Sequence, residues 1–201
     1  MLTLVSGGSA SGKSEFAESL VVNSGCENRW YLATMLPYDE ECHRRIARHR
    51  QMRAKKGFET LEVPYALQQL ELNEPMQSGC ALLECMSNLV ANELFCPQGS
   101  GEQTEEAILR GVERLVSGCA QVVIVTNELF SDGMQYDPST EHYLRILGRI
   151  NCRLAQMADR VYEVVAGIAI PWKGEKQECV GLSNILDSEL CRRKPAEGSH
   201  R

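Results

Sequence analysis

A short apolar run, Leu2-Thr3-Leu4-Val5-Ser6, leads directly into Gly7-Gly8-Ser9-Ala10-Ser11-Gly12-Lys13-Ser14. Helical spacing follows, from about Lys13 to Val22. A buried strand, a glycine-rich turn and a helix in this order, carrying G-x-x-x-x-G-K-[ST], form a phosphate-binding loop. Each part has a physical task. The glycines let backbone N–H groups curl around phosphate oxygens without a Cβ in the way. The helix N-terminus adds its dipole and its unpaired N–H groups. Lys13 supplies a point charge to the terminal phosphates, and the Ser14 hydroxyl is placed for Mg²⁺. The motif predicts a nucleoside-triphosphate site without choosing the base or the acceptor.

Short apolar runs then alternate with helical stretches. Trp30–Thr34, Thr60–Val63, Ala81–Glu84, Val122–Val125 and Arg160–Ala166 read as strands. Lys13–Val22, Asp39–Arg53, Asn88–Phe95, Gln103–Cys119 and Pro138–Ala158 read as helices. Val122–Val125 is apolar on both faces, as a central parallel strand must be. The alternation predicts an α/β fold, a P-loop NTPase-like, mainly parallel sheet flanked by helices in a single domain. That domain is expected to span residues 1–170. Residues 171–201 are expected to form a weakly ordered tail, because the pattern decays from Pro171 onward.

A P-loop site usually adds a carboxylate from a neighbouring strand. Glu84, ending an uninterrupted apolar strand, is the first candidate, and Glu128 is the second. Both lie at carboxyl ends of strands, where open α/β sheets bind ligands. The chain of 201 residues carries a net charge of −6, which argues against nucleic acid as a partner. Yet residues 43–56 hold seven Lys/Arg and no acid, leaving −13 for the rest. Arg45, His49 and Arg53 share one helical face at i, i+4 and i+8. Guanidinium neighbours disfavour the imidazole proton and keep His49 neutral and nucleophilic. Beside a triphosphate it could attack the α-phosphorus and hold a nucleotidyl group. A solvated basic face with an incidental histidine is the plainer alternative, and His43 lies off the stripe.

Nine cysteines show no C-x-x-C pair and an odd count, so neither a zinc ribbon nor a redox motif is supported. The expectation is mostly buried thiols in a reducing cytoplasm. The strand-like opening at Leu2 leads to the expectation of no signal peptide, and no apolar run approaches a membrane span.

From Leu2 to about Ile168 the sequence resembles the bifunctional adenosylcobinamide kinase/adenosylcobinamide-phosphate guanylyltransferases of cobalamin synthesis. The resemblance rests on the P-loop, Tyr31-Leu32-Ala33-Thr34, Arg45-Ile46-Ala47-Arg48-His49-Arg50 with Arg53, and Thr60-Leu61-Glu62. It continues through Leu82-Leu83-Glu84-Cys85 with Asn92, Val125-Thr126-Asn127-Glu128 and Gly148–Ala155. It implies His49 as the residue carrying GMP, with Lys13 as the second catalytic group. It also implies nucleotide contacts at Gly7–Ser14, Ala33, Thr34, Met35, Arg50, Gln51, Met52, Arg53, Glu62 and Glu84. The implied reactions phosphorylate adenosylcobinamide with ATP or GTP and then transfer GMP to the product, releasing pyrophosphate. Mg²⁺, a corrinoid acceptor and a homo-oligomer, a trimer, are implied with them. Two segments depart from the family pattern: Leu129–Gly133, and Arg48 where a second histidine is usual. Rival readings are a single-activity P-loop kinase and a non-catalytic nucleotide-binding switch.

Overall fold

The computed structural model describes residues 1–37, 47, 50, 53–131 and 133–174. The strands are β1 (Leu2–Gly7), β2 (Arg29–Ala33), β3 (Phe58–Glu62), β4 (Cys80–Glu84), β5 (Gln121–Val125), β6 (Arg160–Val165) and β7 (Ile168–Lys173). They form one sheet in the order β3-β2-β4-β5-β1-β6-β7. All neighbours pair in parallel except β6 and β7. The helices are α1 (Lys13–Val22), the single turn α2 (Glu74–Gln77), α3 (Met86–Phe95), α4 (Thr104–Gly118) and α5 (Pro138–Met157). Of the predicted elements, the helix over Asp39–Arg53 lies largely outside the described residues, as do His43, Arg45, Arg48, His49, Gln51 and Met52. None of the described helices is long and apolar enough to cross a membrane.

Because strand side chains alternate, each strand feeds two core layers. Leu2, Leu4, Leu32, Leu83 and Ile124 face α3, α4 and α5, where Leu89, Ile108, Val112, Leu115, Leu147, Ile150 and Leu154 bury the apolar stripes. Val5, Tyr31, Ala33, Leu82, Val123 and Val125 face the other side, where α1 contributes Ala17 and Val21. Asp137 starts α5 by accepting from the Ser139 and Thr140 amides, ahead of Pro138 in the first turn. The Ser139 and Thr140 hydroxyls also donate to it, and these bonds, more than the amides, hold its carboxyl below the usual carboxylate range.

Two features differ from the sequence reading. Strand β7 continues through Lys173, beyond the Pro171 at which the pattern fades. It is turned back by Ala166 and Gly167, both at positive φ (50° and 80°), which suits a two-residue hairpin. As an edge strand it leaves Ile168, Ile170 and Trp172 exposed, so it lacks the pattern of a core strand. Also, Cys26 and Cys80 form a disulfide, with Cα atoms 6.0 Å apart, rather than remaining free thiols. Parallel pairing sets Arg29 opposite Cys80, which brings the loop before β2 to the start of β4. A proximity made by register across 54 residues is invisible in linear spacing.

Gly111 in α4 lies against the 3-10 turn Leu67–Gln69. A Cβ there would meet Leu67 Cγ at 2.8 Å and the Gln68 backbone nitrogen at 2.9 Å. Alanine gains about 1 kcal/mol in helix propensity, against roughly 1–3 kcal/mol for overpacking. The Gln68 backbone cannot rotate aside, so the clash should win. Gly111→Ala is expected to lower the urea-unfolding free energy by about 1 kcal/mol; an unchanged or higher midpoint would show that the turn gives way.

Candidate functional site

The P-loop joins the carboxyl end of β1 to α1, and its shape depends on absent side chains. A Cβ on Gly7 would lie 2.6 Å from both Ser11 Oγ and the Val164 carbonyl oxygen. Gly12 sits at φ 90°, a left-handed conformation that glycine adopts without strain. It gives α1 no side-chain cap, so the first-turn N–H groups remain available to an anion. The loop is tied on two sides: the Glu128 amide donates to the Gly7 carbonyl (3.0 Å), and the Gly167 amide donates to that of Ser11 (2.8 Å). Lys13 is buried and donates through Nζ to the Gly8 carbonyl at 2.9 Å.

Under the loop, the Ser14 hydroxyl donates to Glu84 Oε1. Glu84 Oε2 is buried without a hydrogen-bond partner among the described residues. Glu128, the second candidate acid, is used differently: its Oε1 accepts from the Phe130 amide and the Ser131 hydroxyl, each at 2.9 Å, shaping its own loop. Of the two, Glu84 is the carboxylate that meets the P-loop.

The ends of β2, β3 and β4 are locked together beside Glu84. The Thr34 amide donates to the Glu84 carbonyl at 3.1 Å, and the Val63 amide to that of Ala33 at 2.8 Å. Thr34 Oγ1 donates to the Cys85 carbonyl (2.8 Å) and accepts from the Cys85 amide (2.7 Å). Asn92 donates through Nδ2 to the Thr34 and Pro64 carbonyls at 2.8 and 2.9 Å. Ala33, Thr34 and Glu62 therefore lie side by side at one sheet edge, with Met35 following Thr34. Burial pushes the Cys85 thiol up.

Part of the basic segment reaches this edge. Arg50 pairs with Glu62 at 3.1 Å, both about half exposed. Arg53 is buried, with its guanidinium carbon 3.5 Å from the Tyr31 ring centroid, a cation–π contact. Its Nε has no hydrogen-bond partner among the described residues. Burial pushes the Tyr31 hydroxyl far above its ordinary range; the Glu84 charge adds to this, and Arg53 opposes it. Tyr31 and Asn92 stand in the motifs that carry the family resemblance, but sequence reasoning assigned them no role in the site. Tyr31 reads as one more apolar strand position. Asn92, a polar residue within the buried stripe of an apolar helix, was the available signal.

The family model for cobinamide kinase / cobinamide phosphate guanyltransferase matches residues 3–172. The chain is 35% identical over 187 residues to the bifunctional adenosylcobalamin biosynthesis protein CobU of Escherichia coli, covering 86% of this chain and 100% of the relative. It is 34% identical over 178 residues to CobP of Pseudomonas aeruginosa, covering 87% and 99%. Among solved structures, an ATPase domain aligns with a TM-score of 0.51 at 12% identity, covering 89% of this chain and 78% of that one. That likeness concerns the fold. The chain belongs to the cobinamide kinase / cobinamide phosphate guanyltransferase family, transferases of cobalamin biosynthesis.

Lys13 touches no described acid, so its removal should act on the phosphates rather than on the fold. Lys13→Ala is expected to weaken triphosphate binding by about tenfold or more, with the thermal midpoint of the nucleotide-free protein nearly unchanged. Calorimetric titration with GTP and ATP would check this, and an undiminished affinity would place the phosphates elsewhere.

Proposed function

We propose that this transferase first phosphorylates the aminopropanol hydroxyl of adenosylcobinamide and then guanylylates the product through a covalent histidine adduct. In the first step the hydroxyl oxygen attacks the γ-phosphorus of ATP or GTP, its proton is lost, and the nucleoside diphosphate departs. In the second, a nitrogen of neutral His49 attacks the α-phosphorus of GTP. A P–N bond forms, the α–β anhydride breaks and pyrophosphate leaves. A phosphate oxygen of adenosylcobinamide phosphate then attacks the same phosphorus, the P–N bond breaks, and adenosylcobinamide-GDP forms. Splitting the transfer into two displacements requires a nucleophile; the kinase step does not.

The observation that carries this reading is the Ser14–Glu84 pair beneath a P-loop whose lysine has no acidic partner among the described residues. Glu84 Oε2 is buried with no hydrogen-bond partner among the described residues, and a serine hydroxyl with a carboxylate is a hard oxygen donor set, so the pair fits Mg²⁺. Ser14 and Glu84 would hold that ion, which supplies positive charge to the phosphate oxygens. Gly7–Ser14 would cradle the phosphates. Ala33, Thr34, Met35, Glu62 and the segment Arg50–Arg53 would contact the guanine nucleotide, with Gln51 and Met52 assigned from the family pattern. Arg53, positioned over Tyr31, would stabilise charge on the phosphoryl oxygens. A homotrimer working in the cytoplasm completes the proposal.

GTP labelled on the α-phosphate should leave an acid-labile, alkali-stable adduct on the protein. His49→Ala is expected to abolish the adduct while phosphorylation of cobinamide continues. An adduct that persists in this variant would remove His49 from the role.

A further inference from the structure

The loop that follows β5 carries large apolar side chains into solvent. Leu129 is 36% and Phe130 46% exposed. This loop is an extension of the phosphate site, since its first residues bond to the P-loop itself through the Glu128 amide and the Gly7 carbonyl. Its height is set by Thr126, which directly follows β5 and whose hydroxyl bonds Asn151 Oδ1 at 2.8 Å. Residue 151 of α5 is therefore level with the carboxyl edge of the sheet, where the phosphates bind. About 13 residues of α5 precede it, some 20 Å of helix. Phe130 lies along this helix: a Cβ on Gly148 would touch its ring at 3.7 Å. Phe130, Leu144 and Gly148 floor an open concavity of about 510 Å³, bounded by Arg145 and Arg149.

We propose that this shelf holds the corrin macrocycle of the acceptor, its flat face on Phe130, Leu144 and Gly148 and its peripheral amide carbonyls at Arg145 and Arg149. The proposal deepens the function above and rests on its corrinoid acceptor. The two reactions need a large disc, apolar on its faces and rimmed by carboxamides, delivered beside a P-loop. An exposed ring over a glycine suits the face, because stacking needs a bare, flat surface. Guanidinium groups suit the rim, because each offers five N–H donors and no acceptor to compete with a carbonyl. Arg149 spends part of its fork on Glu105 at 2.7 Å, and Arg145 has no ion pair among the described residues. The shelf also lies on the β5–α5 side of the P-loop, away from the β2–β3 edge where Arg50 and Arg53 stand.

Cys152 lines the same concavity and is an exposed free thiol, whereas Cys85 and Cys119 are buried. The test follows iodoacetamide alkylation of Cys152 by peptide mass spectrometry on the full chain. Saturating cobinamide is expected to slow labelling at Cys152 at least fivefold. Aminopropanol phosphate, which lacks the macrocycle, and GTP alone are expected to leave the rate unchanged. Phe130→Ala is expected to raise the KM for cobinamide in the kinase reaction about tenfold while changing kcat much less. Undiminished labelling at a cobinamide concentration that saturates turnover would overturn the proposal. Protection by GTP alone would also overturn it, by assigning the concavity to nucleotide. A Phe130→Ala variant with altered sedimentation and unchanged KM would assign the shelf to a second copy of the chain. None of these outcomes depends on a histidine adduct, so the fate of His49 and the fate of the shelf are read separately.

Discussion

The hydrogen bond from Ser14 to Glu84 joins the two halves of the site, and the parallel sheet is what allows it. Ser14 belongs to the first turn of α1, just after β1, while Glu84 ends β4, two strands away. Only parallel pairing puts every strand's carboxyl end on the same edge, with Glu84 opposite Val125 on β5 and opposite Ala33 on β2. The P-loop, the acid and the ends of β2 and β3 are thus brought together by register. An antiparallel strand among them would carry its carboxyl end to the far edge. The antiparallel strand, β7, lies at the margin, where it disturbs nothing and where its turn ties Gly167 to the P-loop.

The edge is held by buried polar groups as well as by the apolar packing of Ala33, Cys85 and Val125. Thr34 satisfies both the amide and the carbonyl of Cys85, and Asn92 reaches two further carbonyls on different segments. Each such bond contributes about 1 kcal/mol net, but leaving a buried partner unpaired costs about 1–3 kcal/mol. The network therefore acts through the penalty for breaking it, which suits a site whose strand ends must not drift. Glu93, the next residue of α3, does the same: its carboxylate accepts from the amides of Ala66 and Ser100 and so anchors two loops.

How much of this could be read in advance follows from the physics of each feature. Strands β1, β4 and β5 are legible because a buried parallel strand is a continuous apolar run, and the P-loop because its glycines and lysine are demanded by sterics and charge. Glu84 stands out as the polar residue that ends such a run. Glu128 looked similar; the two are separated by their hydrogen bonds, Glu84 accepting from Ser14 and Glu128 from Phe130 and Ser131. Tyr31, the Cys26–Cys80 bond and the Asn92 clamp depend on neighbours distant in sequence, set by register and packing. β7 was hidden for the opposite reason, since an edge strand with exposed Ile168, Ile170 and Trp172 has no buried face to impose a pattern.

The charge distribution takes on a sharper meaning at this edge. A net −6 describes the whole surface, but the interior beside the P-loop holds Lys13 and Arg53 against the carboxylate of Glu84. Burying a cation without counter-charge costs several kcal/mol, and among the described residues neither Lys13 nor Arg53 has an ion pair. Lys13 uses the Gly8 carbonyl dipole, and Arg53 uses the face of Tyr31. Both substitutes are weaker than an anion and both can be surrendered to one. A phosphate chain entering the loop would replace a dipole and an aromatic quadrupole with full negative charge, while Arg50 stays committed to Glu62 at the rim. In the nucleotide site proposed above, affinity would draw on these two cations, each held at the sheet edge by a partner weaker than an anion.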